Sequence, residues 1–330
     1  MKPFAYHVAT SPADAVATLN GHPGAAYLAG GTNLVDHMKL GVAEPDLLVD
    51  VSRLALDDIA PTDDGGVRIG ANVRNSDLAA HPLIRSRYPV LSRAMLSAAS
   101  GQLRNAATTA GNLLQRTRCV YFQDVTTPCN KRVPGSGCSA VGGYVRYHAI
   151  LGASAECLAT HPSDMAVAMN ALDADVLVEG VDGERRIPVT EFHRLPGDEP
   201  HRDTVLHHGE LITAVELPPP PPGAVSDYRK VRDRASYAFA LVSVAAELSF
   251  DGDDIATARI ALGGVAHKPW RARRAEQILT GGVPSADVFA AAADVELADA
   301  QPLPGNEFKV ALTRRTLVAQ LRILTERGRR

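Results

Sequence analysis

Apolar positions in the N-terminal part of the chain switch between a helical and a strand period. Ser11-Pro12-Ala13-Asp14 pairs a capping hydroxyl with proline at the first helical position, predicting a helix to about Asn20 that Gly21 and Pro23 stop. Ala26 to Ala29 is a short apolar strand, Gly30-Gly31-Thr32-Asn33 a tight turn, Leu34 to Leu40 a helix and Leu47 to Val51 a buried strand. Strand, glycine turn, helix and strand thus follow one another, an α/β beginning. Val67 to Gly70 then reads as a strand and Pro89 to Ala99 as a helix. Val176 to Glu179 reads as a strand leading to an Asp182-Gly183 hairpin signal.

The pattern breaks at five consecutive prolines, Pro218 to Pro222, followed by Gly223. Such a run cannot continue a helix or enter a central strand, and its stiff extended backbone suits a spacer, so a domain boundary is placed there. Beyond it, Ala238 to Phe250 and Ile255 to Leu262 are strand-like, joined by an Asp251-Gly252-Asp253-Asp254 turn. Ser285 to Ala298 and Glu307 to about Leu324 are helical, and Glu326 to Arg330 reads as a frayed basic end. The part after the prolines is therefore a small α+β domain.

Composition narrows the function. With 34 Lys+Arg against 37 Asp+Glu the net charge is −3, which argues against a nucleic-acid or anionic-membrane partner. An apolar share of 45% against 22% charged is that of a folded chain, and 330 residues suffice for about two or three domains. The start, Met1-Lys2-Pro3-Phe4-Ala5-Tyr6-His7, has no apolar signal-peptide core, and no run of about 18 apolar residues predicts a membrane span. The expected compartment is the cytoplasm, unless a signal-bearing partner carries the chain into the periplasm.

Two turns have the chemistry to meet a phosphate. Gly30-Gly31-Thr32-Asn33 lies between strand and helix, where glycines let backbone amides come close, though the spacing is not G-x-G-x-x-G. Thr108-Thr109-Ala110-Gly111-Asn112 is similar, offering hydroxyls and amides. The four cysteines, Cys119, Cys129, Cys138 and Cys157, form C-x9-C-x8-C-x18-C. That spacing lacks the C-x2-4-C knuckle of structural zinc sites, and the segments around Pro128 and Pro134-Gly135-Ser136-Gly137 suit a loop. Three readings stay open: a metal or iron–sulfur site, two disulfides, or unconnected thiols. Lys131 and Arg132 read either as counter-charges for thiolates or as a solvated loop. Ser163 or Asp164 reads as a helix cap or as a carboxylate for a polyol. His193, His201, His207 and His208 read as surface histidines. Tyr228 to Arg234 reads as an exposed strand, with a site for an anionic or planar ligand as the alternative.

Ala29-Gly30-Gly31-Thr32-Asn33, Thr108-Thr109-Ala110-Gly111-Asn112 and Ser163-Asp164, in this order and spacing, resemble the FAD-binding medium subunits of the xanthine dehydrogenase and carbon monoxide dehydrogenase family. The segments Asn112 to Cys119, Pro134 to Cys138 and Tyr228 to Ala240 resemble the aldehyde oxidoreductase subgroup. The resemblance implies an α+β fold: a vanillyl-alcohol-oxidase (PCMH) type FAD domain of two α/β subdomains over 1–217, with a cysteine-rich insertion at about 115–160. A linker at 218–223 and a CO dehydrogenase flavoprotein C-terminal-like domain at 224–330 complete it. It also implies FAD contacts from Ala26, Tyr27, Leu28, Ala29, Gly30, Gly31, Thr32, Asn33 and Leu34, from Thr108, Thr109, Ala110, Gly111 and Asn112, and from Asp164, Ile212 and Lys230. Many relatives have Gly-Gly where this chain has Ala110-Gly111. In the aldehyde oxidoreductase subgroup the insertion carries a [4Fe–4S] cluster, which maps onto Cys119, Cys129, Cys138 and Cys157.

By this resemblance the chain is the FAD and [4Fe–4S] electron-transfer subunit of a molybdenum-dependent aldehyde oxidoreductase, with no catalytic residue of its own for the aldehyde. Its implied partners are a small [2Fe–2S] subunit and a large molybdenum-cofactor subunit in a heterotrimer. The alternatives are a flavin subunit of another molybdenum hydroxylase, a flavin oxidase acting alone, and a non-enzymatic zinc-loop protein.

Overall fold

A computed structural model describes residues 1–329. Among these, the strands form three sheets. The first is parallel, β1 (Ala5–Val8) and β2 (Ala25–Leu28) flanking β3 (Leu47–Asp50), with the helix Pro12–Asn20 crossing between β1 and β2. Ser11 caps that helix, its Oγ accepting from the Asp14 amide at 3.1 Å, as the Ser-Pro start predicts. The second sheet is antiparallel, ordered β4 (Ile59–Pro61), β5 (Val67–Gly70), β8 (Leu211–Leu217), β6 (Asp175–Gly180), β7 (Gly183–Pro188). Strands β6 and β7 are the hairpin signalled by Asp182-Gly183.

The chain leaves the second sheet at Leu217 and enters the third at Val225. That sheet runs β12 (Trp270–Arg271), β11 (Asp254–Gly263), β10 (Val242–Asp251), β9 (Val225–Val231). Pro218 to Pro222 form neither helix nor strand, and the Pro218 carbonyl accepts from the buried Tyr88 hydroxyl at 2.9 Å, so the run is anchored at its first residue. Strand β10 is buried on both faces. Val242, Val244, Ala246 and Leu248 pack with Leu317, Leu321 and Leu324 of the C-terminal helix Phe308–Gly328, while Ala245 on the other face joins the core around helices Pro89–Ser97 and Asp164–Ala171. The C-terminal helix runs through Gly328, and Arg327 pairs with Asp227 at 2.6 Å. The expected frayed end is thus corrected for Glu326 to Arg329, because that ion pair ties it to β9; Arg330 lies outside the described residues.

The element that positions the site is the helix Asp164–Ala171. All eight of its residues are buried, against Ala245 and Ala261 of the third sheet on one side and the helices Pro89–Ser97, Thr109–Leu113 and Val189–Phe192 on others. A helix apolar all round belongs inside a fold, and its first residue, Asp164, is carried in with it.

Candidate functional site

A cleft of about 640 Å³ opens between the two glycine turns, the start of helix Asp164–Ala171 and the strands β9 and β10. Thr32, Asn33, Gly111, Asn112, Asp164 and Lys230 all line it. Sequence elements more than a hundred residues apart therefore meet on one wall.

The turns interlock. A Cβ on Gly30 would lie 2.1 Å from the Ala106 carbonyl oxygen, and Gly31 has φ of +72°, so both glycines are required by the backbone. The Arg116 amide donates to Asn33 Oδ1 at 3.0 Å, tying the first turn to the segment that follows the second. No acceptor among the described residues takes the amides of Gly31, Thr32 or Asn33, which leaves three donors for an anion. The second turn differs from the expectation. Thr108 caps the helix Thr109–Leu113, its Oγ1 accepting from the Gly111 amide, and the Thr109 and Ala110 amides donate to the Val73 and Ala71 carbonyls at 3.0 Å. Its backbone donors are therefore spent on the fold, and Gly111 and Asn112 alone of Thr108 to Asn112 reach the cleft. Ala110 packs against the core, so its methyl group does not obstruct the cleft.

Asn112 Oδ1 accepts from Ser163 Oγ at 2.6 Å, and Ser163 Oγ accepts from the Ala166 amide at 2.9 Å. Ser163 is thus both a helix cap and a tie to the second turn. Asp164 is not a cap. Its Oδ2 pairs with Lys230 Nζ at 2.7 Å and its Oδ1 accepts from Tyr228, with both partners of the ion pair about 4% exposed. Tyr228 and Lys230 reach the same carboxylate because β9 has a two-residue period, and burial, with Asp164 beside it, holds the Tyr228 phenol well above its ordinary pKa. The exposed-strand reading of Tyr228 to Arg234 is corrected in part: Tyr228 and the Lys230 side chain are buried, since β9 is covered by helix Pro89–Ser97 and the C-terminal helix, whereas Arg229, Asp233 and Arg234 are exposed and the strand ends at Val231.

Ala26 to Leu28 belong to the strand leading into the cleft, with Tyr27 donating to the Gly209 carbonyl, and Ala29, Gly30, Gly31, Leu34, Thr108 and Thr109 support the turns without lining it. Ile212 is 2% exposed in the core of the second sheet and is likewise not part of the cleft wall. Other residues line the cleft without a sequence signal of their own. Asn75 Oδ1, Arg118 Nε and Ser243 Oγ are buried there with no hydrogen-bond partner, an arrangement that costs free energy until a ligand supplies one. Ser243 could have been found from strand register, since it stands opposite Lys230.

The four cysteines are free thiols and line one cavity, with Lys131 and Glu156 in its wall. Cys129 and Cys138 face each other across an isolated antiparallel bridge. Burial pushes the Cys119 and Cys157 thiols up to about 11, so a thiolate form calls for a cation. Among the described residues no group of three or more His, Cys, Asp or Glu donors is arranged to hold a single metal ion. Lys131 is not solvated. It is 2% exposed, donates to the Pro200 carbonyl at 2.8 Å and pairs with Asp203, while Arg132 holds the loop through the carbonyls of Tyr121, Phe122 and Thr127. Burial opposes ionisation of Asp203, but Lys131 and Arg116 overcome it and hold the carboxyl below the usual range.

His193 corrects the surface-histidine expectation: it is 3% exposed, stacked edge-on to His161 with centroids 4.3 Å apart, while His201, His207 and His208 are exposed. Burial lowers His161, His193 and His267, the last two to about 4. The unfolded chain binds protons on these rings first, so stability is full above about pH 7 and falls as pH drops from about 6.5 toward 4. Urea unfolding at pH 7, 6 and 5 is expected to lose up to about 1.4 kcal/mol per pH unit per buried histidine. A midpoint flat across that range would mean the rings are hydrated in the folded state.

Residues 2–220 match the FAD binding domain in molybdopterin dehydrogenase, and residues 226–322 match the CO dehydrogenase flavoprotein C-terminal domain. The chain belongs to the FAD-binding medium subunits of the xanthine dehydrogenase and carbon monoxide dehydrogenase family. It is 55% identical to the aldehyde oxidoreductase FAD-binding subunit PaoB of Escherichia coli, over 97% of this chain and 98% of that one. The glyceraldehyde dehydrogenase medium chain of Sulfolobus acidocaldarius is 28% identical over 84% of this chain and 81% of its own. Carbon monoxide dehydrogenase from Hydrogenophaga pseudoflava superposes with a TM-score of 0.78 at 26% identity, over 99% of both chains. As a member of this family the chain is the FAD-containing subunit of a molybdenum hydroxylase of aldehyde oxidoreductase type. The free amides of the first turn and the three unpartnered polar atoms in the cleft fit that cofactor. Among the described residues no helix is long and apolar enough to cross a membrane.

Proposed function

We propose that this chain is the FAD and [4Fe–4S] electron-transfer subunit of a molybdenum-dependent aldehyde oxidoreductase. It would receive electrons from a small [2Fe–2S] subunit, after a large molybdenum-cofactor subunit has oxidised an aldehyde to a carboxylic acid. The observation that carries this reading is that all four cysteines line one cavity and that Cys119 lines the flavin cleft as well. Bound FAD supplies one- and two-electron chemistry, which suits exchange with one-electron centres on one side and an external acceptor on the other.

The protein residues hold and shape. The amides of Gly31 to Asn33 offer donors to a pyrophosphate, and Arg118, its Nε unpaired and its guanidinium 5.1 Å from the Phe239 ring, adds a cation to the cleft. Asp164, fixed by Tyr228 and Lys230, keeps lone pairs for a ribityl hydroxyl. Cys119, Cys129, Cys138 and Cys157 would hold the cluster, with Lys131 as a buried counter-charge.

Spectra and metal analysis of the purified protein test the reading. The wild-type chain is expected to carry flavin, iron and acid-labile sulfide, and a Cys129→Ser variant to lose most of the iron while keeping flavin. Unchanged iron in that variant would exclude ligation by Cys129. Flavin in the isolated chain is expected to stay oxidised with an aldehyde and to be reduced once the partner subunits are added. Reduction without partners would make the chain an oxidase in its own right.

A further inference from the structure

The imidazole of His148 stands between the cysteine cavity and the flavin cleft and lines both. It is 3% exposed, and its Nε2 lies 3.2 Å from Cys119 Sγ. No other histidine ring among the described residues hydrogen-bonds to a cysteine sulfur. Nδ1 of the same ring is buried without a partner, so the hydrogen bond to sulfur is the one polar contact that the ring makes.

The backbone beneath the ring is pinned from the C-terminal domain. The buried Lys309 Nζ donates to the His148 carbonyl at 2.7 Å, and Asn306 Nδ2 donates to the Ala149 carbonyl at 3.2 Å. The Ala149 amide donates to Leu158 at 2.8 Å, next to Cys157. Such fixation of the main chain leaves the ring little freedom except at its own torsions. A thiolate has lone pairs and no proton, so when Cys119 is a ligand Nε2 must carry the hydrogen, and in the neutral ring Nδ1 is then bare.

We propose that His148 is a positioning residue for the thiolate site, its Nε2–H donating to the Cys119 sulfur, fixing that ligand in the wall shared with the flavin cleft and making the bound cluster easier to reduce. The proposal rests on the cluster reading above. An N–H dipole aimed at a ligating sulfur stabilises the more negative, reduced form more than the oxidised one, and hydrogen bonds to sulfur are among the determinants of cluster potential. The chain has placed a side-chain donor on the one cysteine that also lines the flavin cleft, where the effect would bias the exchange between the two cofactors.

The experiment is an EPR-monitored redox titration of the [4Fe–4S] signal in the assembled complex, comparing wild type with His148→Phe and His148→Gln. Phenylalanine keeps the ring volume and removes the donor; glutamine keeps a donor. The Phe variant is expected to shift the reduced-to-oxidised ratio at fixed ambient potential by roughly tenfold toward oxidised, about 59 mV for one electron. The Gln variant is expected to recover part of that shift. Coincident titrations of Phe and wild type would overturn the proposal. Wild-type protein labelled with 15N-histidine is read independently of any substitution. A weak nitrogen coupling in the pulsed EPR of the reduced cluster is expected, and its absence would sink the proposal even if the Phe variant failed to assemble. Absence of iron from wild-type protein is a different result, which removes the cluster reading itself.

Discussion

Asp164→Ala is expected to destabilise the protein by about 3–5 kcal/mol and to strip it of flavin. The carboxylate and the Lys230 ammonium are both almost fully buried, so neither is screened by water, and removing the acid leaves a cation with only the Ser97 carbonyl, at 3.1 Å, to solvate it. The Tyr228 hydroxyl loses its acceptor at the same time. Breaking a buried pair from one side is worse than removing both partners, because the orphaned charge keeps its desolvation cost. The double variant Asp164→Ala with Lys230→Met should therefore regain part of the loss, and Asp164→Asn should fall between. Urea midpoints together with flavin-to-protein ratios check this. Equal midpoints for wild type and Asp164→Ala would mean that the pair is hydrated and does not organise the cleft.

Gly30→Ala is expected to weaken FAD binding by roughly 10- to 100-fold, the equivalent of the 1–3 kcal/mol that overpacking typically costs. The added methyl would meet the Ala106 carbonyl, a backbone group with no rotamer to escape into, so the two turns must separate. That separation also strains the bond from the Arg116 amide to Asn33. Gly101→Ala is the control, since a Cβ there meets open space at the start of a helix. Titration of apoprotein with FAD, followed by flavin fluorescence, compares the three proteins. A Gly30→Ala affinity equal to that of Gly101→Ala would show that the contact between the turns does not shape the cofactor site.

Local signals in the sequence were sufficient wherever one element decides the outcome. Ser11-Pro12, the glycine turn after Ala29 and the hairpin around Asp182-Gly183 are punctuation that acts within a few residues, and each element appears where it was expected. The cysteines were recognisable as a group because they are rare and close in sequence. What escaped depends on long-range packing. The amides of the second turn look available in sequence but are consumed by Val73 and Ala71, which arrive from an earlier segment. Lys131 reads as a surface charge until Asp203 and His267 fold over it. Asn75 and Ser243 have no motif, because their role comes only from the wall that they share with residues far away along the chain. Asp164 stood between two roles in the sequence, and the third sheet decided it by bringing Tyr228 and Lys230 against it.

The cysteine-rich segment also differs from an ordinary loop added to a finished domain. Thr117 and Arg118 enter it and Thr160 and His161 leave it, all four along the cleft, and Tyr144, Tyr147 and His148 from its interior form more of the same wall. Excising the segment and rejoining its ends would not return a simpler flavoprotein with a shorter surface loop. It would open one side of the cofactor chamber, so this part of the chain cannot be traded as a module. A graft into a relative that lacks the segment would have to bring the facing β9–β10 surface with it.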